Sequence, residues 1–284
     1  MARRGRMRTA TSAIAAVLLV FAVMIVIKVS EGAPDTAATP APSGSAAATV
    51  VSGATSVPAA TLNTVGRGAS PTLPKAITGQ PALADGGKPL VVYIGAEYCP
   101  FCAAQRWPVV IALSRFGTFQ GLGVSHSATD DSFPDTPTLS FHGATYTSQY
   151  LAFQGVETTT NTKKNGTYEP LDKLTDQQAA LIKQYNAPPY VSSDSAGAIP
   201  FMDFANQAVM AGASYSPQLL AGKTHDQVVS AIADPQSQLG RTVDGNANAM
   251  TALLCKLTGG QPGDVCTSAA VTAFQGEFAD VSAK

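Results

Sequence analysis

Hydrophobic residues run unbroken from Ala13 to Ile27. With interfacial residues at each end, the stretch from Thr9 to Val29 reaches the ~20 residues that a spanning helix needs. From Glu31 to about Pro74 the pattern dissolves into Ala, Thr, Pro, Ser and Gly. Periodicity returns at Leu90-Val91-Val92-Tyr93-Ile94, a short, nearly continuous apolar run that predicts a buried strand. Ala103 to Phe116 has helical composition, and Pro108 predicts a kink or break near Trp107. Strand-like pieces follow at Leu122–Ser125, Thr138–Phe141 and Thr145–Phe153. Asp172 to Tyr185 predicts a helix, Asn165-Gly166 a turn, and Ile199 to Phe204 a strand with proline near its start. Asn165-Gly166-Thr167 also fits a glycosylation sequon. The tail, about 224–233, 242–257 and 267–280, reads as helical. Strands alternating with helices predict an α/β domain with a helical addition.

Charge explains the front of the chain. Only 13% of residues are charged, against roughly 25% in soluble domains. Arg3, Arg4, Arg6 and Arg8 precede the apolar run, Lys28 ends it, and all 19 acidic residues begin at Glu31. The remaining 13 bases against 19 acids give the later part a formal charge of −6. This asymmetry predicts a cytoplasmic basic segment at 1–8 and a transmembrane signal anchor at 9–29. Residues 30–74 then form a disordered tether, because such a composition buries too little surface to offset chain entropy. A folded domain at 75–284 lies on the extracytoplasmic side. The alternative is a cleaved signal peptide and a secreted domain. A net charge of −1 gives no reason to expect nucleic-acid binding.

Four cysteines, Cys99, Cys102, Cys255 and Cys266, carry the chemistry. An even number in an exported chain favours disulfides. Cys99 and Cys102 fall between a buried strand and a helix. A thiol there meets unpaired backbone N–H groups that favour thiolate. Pro100 suits the first helical turn. Other uses of the pair are half a zinc site or a local structural bridge, but Cys255 and Cys266 lack usual finger spacing, and His126, His142 and His225 are scattered. No metal site is expected. Cys255 and Cys266 bracket a turn-rich loop and read as a structural disulfide, with a second redox pair as the alternative. Glu97 reads as a solvated carboxylate, with tuning or hindrance of thiolate formation as the alternative; Trp107 reads as core packing rather than substrate contact, and His126 and His142 as ordinary polar positions rather than proton-transfer groups.

The segment from Val91 to Cys102, with aromatic Tyr98 before Cys99-Pro100-Phe101-Cys102, resembles the active-site segment of the thioredoxin superfamily. Ile199-Pro200 resembles that family's cis-proline element. The wider pattern over about residues 80–270 is similar to a membrane-anchored thioredoxin-like family described only as a domain of unknown function. The resemblance implies a thioredoxin-like fold. It has an insertion between the Cys-x-x-Cys helix and the cis-Pro strand, and a helical C-terminal extension. It implies Cys99, Cys102 and Pro200 as catalytic residues, a substrate groove made by Tyr98, Pro100, Phe101 and Ile199, and no bound cofactor. Protein substrates with cysteines, and a membrane thiol oxidase or reductase as recycling partner, follow from the same resemblance. Tyr93 stands where thioredoxin carries a buried Asp that helps deprotonate the second cysteine.

The expected function is therefore an extracytoplasmic, membrane-tethered thiol–disulfide oxidoreductase. Competing readings are a non-enzymatic binding or assembly module with a permanent Cys99–Cys102 bridge, and a carrier of a soft metal such as copper(I).

Overall fold

The structure, a computed structural model, describes residues 39–281. The expected basic segment, the anchor and the first residues of the tether lie outside the described residues. Among the described residues no helix is long and apolar enough to cross a membrane.

The chain runs through α1 (Gly44–Thr55), α2 (Ala59–Val65), β1 (Lys75–Ala76), β2 (Ala84–Asp85) and β3 (Lys88–Gly95). Helix α3 (Pro100–Ser114) follows, then β4 (Gly117–Gln120), β5 (Gly123–His126), β6 (Pro137–Ser140), β7 (Thr145–Ser148) and β8 (Ala152–Glu157). Next come β9 (Thr159–Lys164), β10 (Thr167–Pro170), α4 (Asp176–Tyr185), β11 (Phe201–Phe204) and β12 (Ala208–Ala211). The tail holds α5 (His225–Ala233), α6 (Gln238–Leu257), α7 (Gly263–Cys266) and α8 (Ala269–Thr272).

A mixed sheet forms the centre. Strand β3 pairs in parallel with β8 and antiparallel with β11; β12 pairs antiparallel with β11, and β1 with β12. Both faces of β3 are buried, as its continuous apolar run predicts. Val91 and Tyr93 face a core shared with Trp107 of α3 and Leu253 of α6. Leu90, Val92 and Ile94 face the other way, toward Leu181 and Tyr185 of α4. This is the two-residue alternation of a strand. Between α3 and β8, two small antiparallel ribbons form, β4 with β7 and β5 with β6. Strands β9 and β10 form a hairpin whose turn residues Asn165 and Gly166 both have positive φ, as Asn-Gly favours.

Four expectations need correction. The stretch from 44 to 65 is helical and packed, not tether. Val50, Ala54 and Leu62 are buried. Small residues make this possible: a Cβ on Gly53 would sit 2.2 Å from Val229 Cγ1, so the Val229 side chain packs directly against the α1 backbone. The Asn248 amide closes α2 by donating to the carbonyls of Leu62 and Gly66 at 2.9 and 2.8 Å. Composition counted large apolar side chains and missed burial achieved with small ones.

Helix α3 is continuous across Pro108. The carbonyl of Ala104, which Pro108 cannot bond, accepts the Tyr215 hydroxyl at 2.8 Å. The expected strand Thr145–Phe153 splits into β7 and β8, because the Ser148 hydroxyl takes the N–H groups of Tyr150 and Leu151 and turns the chain. The expected helix at 267–280 is reduced to α8 and turns, with Gly276 at φ +93°.

Candidate functional site

Strands β3 and β8 run in parallel and end together, with Gly95 opposite Glu157. At such carboxyl ends α/β sheets open a crevice. Here the chain leaves β3, turns through Ala96–Tyr98 and enters α3 at Pro100. Cys99 is the N-cap of α3, and its sulfur accepts the backbone N–H of Cys102 at 3.3 Å. This occupies one of the orphan donors of the first turn. The Cys99 thiol also lies 3.8 Å from the Ile199 carbonyl oxygen. Cys99 is 5% exposed and Cys102 fully buried, and both are free thiols.

The expected site residues converge. Cys99 and Cys102 cluster with Ala96, and Tyr98 and Ile199 pack against them. The Ile199-Pro200 peptide bond is cis. Pro200 immediately precedes β11, which pairs with β3, so both motifs sit at one end of adjacent strands. Tyr98 stacks on Tyr168 with ring centroids 4.2 Å apart. Phe101, the exposed large hydrophobic residue among those described, meets Phe133 edge-on at 5.8 Å. The Ala128 N–H donates to the Tyr98 carbonyl at 2.9 Å and ties the 127–136 loop to the site.

The two sulfurs are driven apart electrostatically. The hydrogen bond from Cys102 lowers the Cys99 pKa, and the Cys102 N–H and Arg106 act the same way against the opposing effect of burial. Burial raises the Cys102 thiol well above its ordinary range, and its hydrogen bond to Cys99 adds to this. Of the two, Cys99 is the thiol that gives up its proton more readily and Cys102 the one that keeps it.

Two residues of the site were not singled out from sequence. Arg106 and Glu157 form a fully buried, two-pronged ion pair, Nε to Oε1 at 2.8 Å and Nη2 to Oε2 at 2.6 Å. Burial lifts Glu157 to about 7 against the pull of Arg106. Glu97 is 5% exposed, which corrects its reading as a solvated carboxylate. One of its oxygens accepts the Ser140 hydroxyl, and the other has no hydrogen-bond partner among the described residues. The available signal was the single charged residue of α3, Arg106, four residues after Cys102.

The remaining candidates lie elsewhere. Trp107 is core, its indole N–H donating to the Pro137 carbonyl at 3.0 Å. His126 and His225 stand ring to ring at 4.6 Å, and burial lowers both. His142 is half exposed and meets Asp172 at 2.6 Å. Cys255 and Cys266 are joined in a disulfide between the end of α6 and α7, with Cα atoms 5.5 Å apart. Among the described residues no group of three or more His, Cys, Asp or Glu side chains could hold a metal ion.

A family model described as a domain of unknown function (DUF929) matches residues 77–256, from just after β1 into the last turn of α6. The chain belongs to this family. The DUF929 match covers Cys99, Cys102, the Ile199-Pro200 element and the Arg106–Glu157 pair. No curated protein and no solved structure matches the chain.

Proposed function

We propose that this DUF929 protein is a thiol–disulfide oxidoreductase of thioredoxin-like architecture. Its N-terminal apolar segment would tether it to the extracytoplasmic face of a membrane. The observation that carries the reading is the pairing of Cys99 at a helix N-cap with buried Cys102, with the Ile199 carbonyl oxygen 3.8 Å from the Cys99 sulfur. A structural bridge needs no such asymmetry between its sulfurs; an exchange reaction does.

In the reducing direction the Cys99 thiolate attacks one sulfur of a substrate disulfide. That S–S bond breaks, a Cys99–substrate disulfide forms, and the other substrate sulfur departs as thiolate. Cys102 passes its proton to the departing thiolate and attacks the Cys99 sulfur, which releases the second substrate sulfur. The pair loses two electrons and the substrate gains them. Oxidation of a substrate dithiol is the reverse, and a membrane thiol oxidase or reductase would reset the pair. Phe101 with Phe133, and Tyr98 with Tyr168, would provide apolar contacts for a protein chain approaching Cys99.

Replacing Cys102 with Ser tests this. Mixed disulfides should accumulate through Cys99 and dissolve in dithiothreitol. Their absence, together with a wild-type Cys99–Cys102 bridge that resists dithiothreitol, would instead identify a binding module. Equilibration against glutathione then sets the direction.

A further inference from the structure

We infer that Arg106, clamped by Glu157, is a positioning residue that sets how much of Cys99 stands as thiolate, a role that rests on the oxidoreductase reading above. The geometry begins with spacing. Arg106 lies four residues after Cys102 and seven after Cys99 on α3, so all three share one face of the helix. Long helical side chains lean toward the N-terminus, which carries the guanidinium up toward the sulfurs. Its Nη2 donates to the Ala96 carbonyl at 2.9 Å, and the Cys99 N–H donates to that same carbonyl at 3.3 Å.

Glu157 fixes the guanidinium from β8 by the two-pronged contact. Its own N–H donates to Asp172 at 3.0 Å, and Asp172 is held by His142. The Thr138 hydroxyl lies 3.4 Å from Nη1 on a third side. Tyr93 completes the surround from β3: its ring lies 6.0 Å from the guanidinium, and its hydroxyl lies 3.4 Å from the Cys102 carbonyl. Glu97 is the second acidic group near the cation. Burial keeps Tyr93 neutral.

A buried ion pair is weak evidence for stability, since removing two charges from water offsets much of their attraction. A charge beneath a thiol pair has a more direct use. In a dry site Arg106 favours the Cys99 anion, and Glu157 is the counter-charge that restrains it. Arg106 lowers both cysteines, and Glu157 opposes it at Cys102.

The two charges therefore predict opposite effects. In the full chain, the ultraviolet absorbance of the thiolate is followed against pH, together with the rate of alkylation by iodoacetamide. Glu157→Gln keeps the hydrogen-bonding shape, removes the counter-charge, and should move the Cys99 midpoint down by about one unit. Arg106→Gln should move it up by about one unit. Where Arg106→Gln does not fold, the double variant Arg106→Met, Glu157→Met replaces the pair with apolar volume and should also raise the midpoint. Folded variants that both move the same way, or do not move, would overturn the inference. Mixed-disulfide trapping with Cys102→Ser reports separately on the oxidoreductase reading. Trapping with unmoved midpoints sinks only the Arg106 role, and moved midpoints without trapping sink only the exchange activity.

Discussion

The Tyr215 hydroxyl donates to the carbonyl of Ala104 at 2.8 Å, and this is the acceptor that Pro108 leaves without a partner inside α3. Both groups are buried, and burial raises the Tyr215 hydroxyl well above its ordinary range, so it stays a donor. Tyr215→Phe should therefore cost about 1–3 kcal/mol, the penalty of an unsatisfied buried carbonyl. Adding Pro108→Ala to that variant restores a backbone N–H and should recover part of the loss. Urea unfolding of the single and double variants measures both.

The Asp244 side chain is buried in α6 with neither oxygen hydrogen-bonded among the described residues, and burial lifts it to about 8. An unfolded carboxyl titrates near 3.9. Between those values the folded chain holds a proton that the unfolded chain has released. Stability should thus fall as pH rises from about 4 to about 8, and level off above. Asp244→Asn should raise stability at pH 8 by a few kcal/mol, at ~1.4 kcal/mol per unit, and do little at pH 4. Asp203, lifted to about 7 by burial, adds the same sign, so a smaller slope should remain. Denaturant melts at both pH values check this.

The Cys255–Cys266 disulfide closes a short loop far along the chain from Cys99. Replacing both with Ala should cost about 3 kcal/mol in the chain-entropy model. The exchange chemistry proposed for Cys99 should survive in the folded fraction. A thermal melt alongside an alkylation assay separates this from a relay, which would lose turnover in a well-folded variant.

Leu62 of α2 is 2% exposed. Because residues 44–65 pack into the core, Leu62→Ala should destabilise the whole domain by about 2–5 kcal/mol. A tether would tolerate the change without any shift in the unfolding midpoint.

Much of this was legible from residue order. The run Leu90–Ile94 announced a central strand because both of its faces needed apolar cover. Cys99-Pro100-Phe101-Cys102 announced a strand-to-helix junction because proline suits a first turn. Asn165-Gly166 announced its turn by the positive φ it accepts. These signals are local, so periodicity and spacing expose them.

What only the tertiary structure decided depends on partners far away in sequence. Pro108 does not break α3, because Tyr215 supplies the missing donor from 111 residues away. The small residues of 44–65 fold because Val229 and Asn248 lie against them. Glu97 and Arg106 look like surface charges by type, yet Ser140 and Glu157 receive them in the interior. The sequence by itself determined where the Cys99-Pro100-Phe101-Cys102 junction and the central strand lie. The fold decided what surrounds those thiols, because burial and charge pairing arise only when distant segments meet.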